Sequence, residues 1–361
     1  MSASATMTSK PRTESISCDE LNSLKLLTET LKEISLRGTG YPQPGTAAGA
    51  AQKVTPADGR AGRDDAGAEP RTILFDIATA IGRFSGFRVD EQLVGKLERV
   101  FRNTSDKDLA LWLQGAAEGG NDSELGALVE DLTNHETHLY RDPAQLELVR
   151  YELLPQIIDA KRRDDPAVIR VWSAACATGE EAYMLCILVL EALLEAKAAT
   201  EVEPGVIMPH ARWRIEVIGS DISRRALRAA REAVYTTIGL GAFRDFPARY
   251  NRFFEKVKGP ESPSRYADSY KRVKPEVTKW VTFKLHNLMT TTPAVEHADV
   301  TFCRNMQIYI DDDRKPLLQK GLALSLAERG ALFMSPVDTL VCPELLEPQW
   351  KASYVYYSKR R

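Results

Sequence analysis

Residues 168–181 read Val168-Ile169-Arg170-Val171-Trp172-Ser173-Ala174-Ala175-Cys176-Ala177-Thr178-Gly179-Glu180-Glu181, and this stretch decides the fold. A short β-branched run gives way to small residues, a glycine and two acids, and then to an apolar helical pattern. The spacing predicts a strand, a tight turn and a helix starting near Glu180. Further along, the same texture recurs. Candidate strands are Ile215 to Gly219, Val281 to Phe283, Val300 to Phe302, Ala331 to Met334 and the aromatic tail Tyr354 to Tyr357. Strands alternating with long helical patterns imply an α/β fold whose mostly parallel sheet is covered on both faces.

Towards the N-terminus the periodicity is helical from Ile73 to about Asp165, through Leu93, Leu97, Val100 and Phe101, then Leu109 to Leu113, Leu125 to Leu132 and Leu146 to Ile158. An all-α domain over 73–145 is expected, with the sheet domain over 146–361. Within the latter, the stretch 236–280 carries its own aromatics and is too long for a simple connection, so it reads as an inserted subdomain. Residues 41–70 hold 17 Ala, Gly or Pro among 30, too little apolar surface to offset backbone entropy. A disordered linker over 41–72 is expected. Before it, residues 1–40 carry a capping-box spacing at Ser17 to Glu20, then Leu21, Leu24, Leu27, Leu31 and Ile34 on one helical face. Such a helix docks on its own body or on a partner.

Composition narrows the function classes. The 361 residues are 43% hydrophobic and 27% charged, an ordinary globular balance. A net charge of -2 gives no global reason to expect a nucleic-acid partner. The longest apolar run, Met184 to Leu194, is too short for direct membrane insertion. Five scattered cysteines without a C-x-x-C pair suit a reducing compartment, and Met1 to Arg12 lacks the apolar core of a secretory signal. A cytoplasmic protein is expected. His135 and His138 sit three apart with no acidic or thiol ligand cluster beside them, so no metal is expected.

Ligands of open parallel sheets bind outside the carboxyl ends of the strands, so the residues after each strand are read first. Small side chains from Ser173 to Ala177 let the backbone approach a ligand, and acids at the helix start repel a phosphate but suit an ammonium group. Glu180 and Glu181 could equally complement the helix dipole. Asp221 ends the second strand, where a carboxylate holds ribose hydroxyls or caps a helix. The third strand ends at His286-Asn287-Leu288 and the fourth at Arg304-Asn305, offering polar groups to the same crevice. Without G-x-G-x-x-G a dinucleotide is disfavoured. A cofactor with adenosine, a positive centre and no phosphate fits, namely S-adenosylmethionine.

Three segments then carry a family resemblance. Leu132 to Asp142 is like T-x-(N/H)-E-T-x-F-F-R-D, Ser173 to Tyr183 like S-A-(A/G)-C-S-T-G-E-E-P-Y, and Phe302 to Tyr309 like F-C-R-N-x-x-I-Y. Together they resemble the CheR-type chemotaxis receptor methyltransferases, which esterify receptor glutamates with the methyl of S-adenosylmethionine. The resemblance runs from about Ile73 to the C-terminus. It implies a Rossmann-like class I SAM-methyltransferase sheet, an N-terminal all-α domain and a small inserted β-subdomain that in some relatives adds a receptor tail peptide as a strand. It further implies cofactor contacts at His135, where many relatives have Asn, and at Thr137, Arg141, Glu181, Asp221, Asn287, Leu288, Arg304 and Asn305. Arg141 and Tyr309 match positions that face the reacting methyl. The implied partner is a chemoreceptor-like coiled coil, met in the family by basic residues of the helical domain. Here Arg83, Arg88, Lys96, Arg99 and Arg102 outnumber Asp90, Glu91 and Glu98. Ala177 stands for the usual Ser, Ala182 for the usual Pro, and Leu332 to Asp338 stands where relatives carry a Gly-x-Ser-Glu turn.

A carboxylate is already nucleophilic at neutral pH, so orientation by Arg141 and Tyr309 matters more than a general base. Competing readings keep the fold and cofactor but change the acceptor, or make the chain a non-catalytic signalling adaptor. A nicotinamide dehydrogenase is more distant.

Overall fold

The computed structural model describes residues 72–361 except 118–121, 134, 240, 259–268, 291, 352–353 and 361. The amphipathic stretch near Leu21 to Ile34 and the linker through residue 71 lie outside the described residues.

Helices α1 (Thr72–Ser85), α2 (Glu91–Val100), α3 (Asp106–Ala117) and α4 (Asp122–Leu132) come first. In α1, Leu74, Ile77, Ala78 and Ile81 recur at helical spacing and are fully buried. Asp90 caps α2 by accepting the Leu93 N–H at 2.9 Å. Val100, read as part of the apolar face, is 44% exposed in the last turn of α2. The helical reading of the whole span also needs correction, because the described residues of 133–142 form no helix or strand. Pro143 disfavours helical backbone at the residue before it and opens the next helix instead. That helix runs as α5 (Pro143–Leu148), a π turn (Val149–Leu153) and α6 (Leu154–Lys161). The widened turn accommodates Pro155, which supplies no N–H and crowds the carbonyl four residues back.

The chain continues through β1 (Ala167–Ala174), α7 (Glu180–Glu195), β2 (Ala199–Glu203), β3 (Val206–Pro209), β4 (Trp213–Asp221), α8 (Arg224–Glu232), β5 (Val234–Thr236), β6 (Phe254–Val257), β7 (Tyr270–Val273), α9 (Pro275–Thr278), β8 (Val281–Leu285), β9 (Ala298–Cys303), α10 (Lys315–Ser325), β10 (Leu326–Met334), β11 (Leu346–Lys351) and β12 (Tyr354–Lys359). Seven strands form one sheet in the order β11-β12-β10-β9-β1-β4-β8. β8, β4, β1, β9 and β10 pair in parallel, and β12 runs antiparallel to both β10 and β11. Strand order reverses at β1, with β4 on one side and β9 on the other, so the crevice opens at the carboxyl ends of β1 and β9. The β11 strand escaped the sequence reading because Pro348 interrupts it, and an edge strand tolerates that proline.

Side chains alternate between the faces. Ile169, Val171, Val300, Phe302 and Phe333 join a core with α5, α6 and α7. Trp172, Ala174, Cys303, Leu332 and Met334 join another core that includes α10 and the buried stripe of α1 to α4. The bundle therefore packs directly on the sheet. Its α1–α2 connection pairs with the segment after β9: Arg88 N–H donates to the Tyr309 carbonyl at 2.9 Å and Asp311 N–H to the Gly86 carbonyl at 2.9 Å.

A separate antiparallel sheet, β5-β7-β6, has β6 and β7 within the stretch read as an insertion, while β5 begins two residues before its expected start. Tyr235, Phe253, Phe254 and Val273 pack it into the core with α7, and ion pairs add to the anchor. Arg150, in the π turn, meets Glu191 at 2.5 Å and also pairs with Glu195, while Arg252, just before β6, pairs with Glu191 from the other side. Arg150 and Glu191 are both buried, so truncating Arg150 leaves the Glu191 carboxylate to Arg252 alone and its desolvation only partly offset. Arg150→Met is expected to lower unfolding free energy by about 3 kcal/mol in urea titration.

Glu180 is buried beside the inserted sheet's Tyr235 and accepts a hydrogen bond from Thr178 Oγ1 at 2.6 Å. Burial raises its carboxyl to about 7, against the pull of that hydroxyl. An acid whose folded value lies above its unfolded one contributes stability below about 4.5 and loses it as pH climbs through about 7. Glu180→Gln, which cannot ionise, should therefore gain stability over the parent progressively between those limits, by up to about 3 kcal/mol at pH 8. Denaturant midpoints of both proteins across that range check this.

Candidate active site

The turn after β1 is built from residues that bend the wrong way for most side chains. Ala175, Ala177 and Gly179 have φ of 58°, 47° and 91°. Two left-handed alanines cost roughly 1 kcal/mol or more each and persist only where neighbours fix them. Here Cys176 N–H donates to the Ser220 carbonyl, and Ala177 N–H donates to Asp221 Oδ2, both at 2.9 Å. A Cβ on Gly179 would stand 2.8 Å from that of Ala230, so a glycine is needed where α8 passes close.

Asp221 therefore braces the turn from the end of β4. Its Oδ1 accepts the Ser223 N–H at 2.9 Å, and Ser223, not Asp221, caps α8 through the Ala226 N–H. Burial pushes the Asp221 carboxyl up, against the pull of those N–H groups and of His135. Burial likewise holds the His135 imidazole down, against the attraction of Asp221. Desolvation outweighs their mutual attraction, as expected for partners enclosed together.

Across the crevice, Glu181 Oε1 accepts from Ser173 Oγ at 2.6 Å and its Oε2 from Arg304 Nε at 2.8 Å. Arg304 reaches further, donating through Nη1 to the Arg141 carbonyl at 2.8 Å and to Asp142 Oδ2 at 3.2 Å. Its side chain is only 2% exposed and lies over the Phe302 ring. Arg141, half-buried, donates from Nη1 to the Glu136 carbonyl at 3.1 Å. Tyr309 stands 41% exposed at the rim. Asn287 uses both ends of its amide inside the protein: Nδ2 donates to the Phe84 carbonyl at 2.6 Å, and Oδ1 accepts the Met289 N–H at 3.0 Å. Asn305, with φ of 55°, points Nδ2 at Ser335 Oγ, and its buried Oδ1 has no hydrogen-bond partner among the described residues.

These side chains surround one cavity of about 650 Å³, a size typical of small-molecule sites. His135, Thr137, Arg141, Glu181, Asp221, Asn287, Leu288, Arg304, Asn305 and Tyr309 all line it. So do groups that the sequence reading did not assign to a ligand: Glu91 and Lys96 from α2, Arg88 and Asp90 before it, Glu136, Ile222 and Met306. Nothing in the local pattern of α2 marks it as a cavity wall. Only its docking against the strand ends does so. Lys96 Nζ donates to the Leu132 carbonyl at 2.9 Å, holding α2 to the start of the 133–142 segment.

The donor set fits a cationic nucleoside. A buried amide oxygen of Asn305 awaits a donor, two acids sit at adjacent strand and helix ends, and small residues from Ala175 to Ala177 bare the backbone. Among the described residues, no group of three His, Cys, Asp or Glu side chains is placed to hold a metal ion.

The family described as CheR methyltransferase, SAM binding domain, matches residues 135–351, a span that contains all ten of these residues. A chemotaxis protein methyltransferase of Vibrio anguillarum is 28% identical over 240 residues, 66% of this chain and 76% of that protein. Chemotaxis protein methyltransferase 1 of Pseudomonas aeruginosa is 29% identical over 213 residues, covering 59% and 69%. The chemotaxis protein methyltransferase of Salmonella typhimurium is 28% identical over 244 residues, covering 67% and 74%. With strand order, cavity and family match in agreement, the chain belongs to the CheR methyltransferase family, and its S-adenosylmethionine-binding domain spans residues 135–351.

Proposed function

We propose that this protein methylates glutamate side chains of chemoreceptor-like proteins, producing glutamyl methyl esters. The observation that carries the reading is the convergence of Arg141 and Tyr309 with the nucleoside-suited groups on a single cavity. S-adenosylmethionine bound there supplies a methyl group activated by its sulfonium. Asp221, still offering lone pairs beyond its two main-chain bonds, holds the ribose hydroxyls. Glu181 and the unpartnered Asn305 Oδ1 serve the methionine end, with Arg304 fixing Glu181 in place. Asn287 shapes the adenine side together with Leu288, since its own amide is already engaged. His135 and Thr137 close the cavity from the 133–142 segment.

An incoming glutamate needs aim more than activation. The planar fork of Arg141 pairs with a carboxylate and sets its direction of approach, while the Tyr309 hydroxyl steadies the second oxygen. The arginine must hold the anion loosely, because the ester product is neutral and tight ground-state binding does not raise the rate. The acceptor read here is a receptor coiled coil in the cytoplasm, with no role for nucleic acid. Among the described residues no helix is long and apolar enough to cross a membrane.

Radiolabelled methyl from S-adenosylmethionine is expected to pass to a receptor signalling-domain fragment as a base-labile product. Arg141→Ala should lower kcat/KM for that fragment about 100-fold, the scale of lost orientation. Label on an amine, or tight cofactor binding with no turnover on receptor fragments, would overturn the assignment. In calorimetric titration with S-adenosylhomocysteine, Asp221→Ala and Glu181→Ala should each bind at least ~10-fold more weakly, about 1.5 kcal/mol.

A further inference from the structure

Arg244 lies outside the cavity, in the connection between β5 and the short turn that leads to β6, and its side chain is 24% exposed. Through one nitrogen, Nη2, it reaches Glu136 Oε1 at 3.2 Å and His138 Nδ1 at 2.9 Å. It is not alone. Leu139 N–H donates to the Ala242 carbonyl at 3.0 Å, and Arg249 Nη2 donates to the Tyr140 hydroxyl at 3.4 Å. Three neighbouring residues of the insertion thus grip residues 136–140 from outside.

The gripped segment has no helix or strand ladder of its own, so side-chain and loop contacts decide its path. Its inner side is the cavity wall, lined by Glu136, Thr137 and Arg141. Glu136 joins the two sides: its carboxylate is held by Arg244, and its carbonyl accepts the Arg141 Nη1 hydrogen bond at 3.1 Å. At the far end, Arg304 holds the Arg141 carbonyl. The backbone of Arg141 is therefore fixed by the sheet, and the direction of its guanidinium is fixed through Glu136.

We propose that Arg244 is a positioning residue for the acceptor: by clamping Glu136 and His138 it fixes the Glu136 carbonyl that aims the Arg141 guanidinium, so the inserted sheet sets how the substrate carboxylate is received. This rests on the methyl-transfer reading above. Arg244 does not line the cavity, and the cofactor-facing groups Asp221, Glu181 and Asn305 stand at strand and helix ends of the sheet domain and are braced by other partners. The clamp therefore acts on the acceptor through Arg141 and reaches the cofactor side only through Thr137, one wall residue among several. Neutral His138 presents Nδ1 as the acceptor, and because both bonds leave one nitrogen, the ammonium of Arg244→Lys can still make them, though on a shorter and less rigid stem.

Arg244→Gln and Arg244→Lys in the full-length protein provide the test. In Arg244→Gln the acceptor KM should rise about ten-fold, with the S-adenosylhomocysteine Kd within about two-fold of the parent. Arg244→Lys should recover part of that loss. In the Arg141→Ala background the Arg244→Gln change should add nothing further, because both act through one group. Amide hydrogen exchange at residues 136–141 should quicken by about ten-fold while β1 and β4 stay protected. An unchanged acceptor KM, additive losses in the double variant, or cofactor affinity and melting temperature falling in step with KM would overturn the proposal. If the parent protein transfers no methyl to receptor fragments, the functional reading fails, whereas unaltered exchange at 136–141 in Arg244→Gln refutes the clamp itself.

Discussion

The buried ion pair between Arg304 and Glu181 ties together the pieces of the site that lie furthest apart in sequence. Arg304 follows β9, Glu181 opens α7 after β1, and these two strands flank the point where the sheet order reverses. A charge pair this enclosed is stable only when its other lone pairs and protons are satisfied. Ser173, the Arg141 carbonyl and Asp142 supply those bonds, and the Phe302 ring supports the guanidinium from below. One side chain therefore fixes the carboxyl ends of two strands, the first crossover and the irregular segment leading in from the bundle. Losing Arg304 would leave the Glu181 carboxylate without a cation, whereas losing Glu181 would leave Arg304 to Asp142 alone.

Around that pair the cavity is closed by surfaces of different origin. The sheet contributes strand ends, where carboxylates and amides sit at the mouth of a twisted crevice. The bundle contributes α2 and the α1–α2 connection, docked by main-chain bonds to the segment after β9. Residues 133–142 run between them and are held from both sides, by Arg304 within and by the inserted sheet outside. A site assembled this way resists distortion of any single wall, because each is bonded to two others. Around the cavity, left-handed backbone falls at the alanines of the first turn, at Asp142 and at Asn305.

Much of this was legible in the chain. The strand-turn-helix at Val168 to Glu181 carries its own periodicity change, and strand ends in a parallel sheet are where ligands bind, so Glu181, Asp221, Asn287 and Asn305 could be selected from the residues alone. Arg141 and Tyr309 could not. They came from a likeness between short motifs, since neither stands at a position that local pattern marks as special. The helical reading ran too far through 133–142, where proline at the end, and not a change in apolar spacing, was the signal. Edge strand β11 was hidden by its own proline.

Local sequence determined what local physics can: helix and strand period, the glycine-bearing turn after β1, and acids placed at strand ends. Tertiary packing alone decided that Asp221 braces the first turn while Ser223 caps the helix, that the Asn287 amide is turned to the Phe84 carbonyl, and that α2 walls the cavity. The reason is one of range. Periodicity and capping act within a few residues, whereas a hydrogen bond to a group two hundred positions away depends on where the fold brings that group.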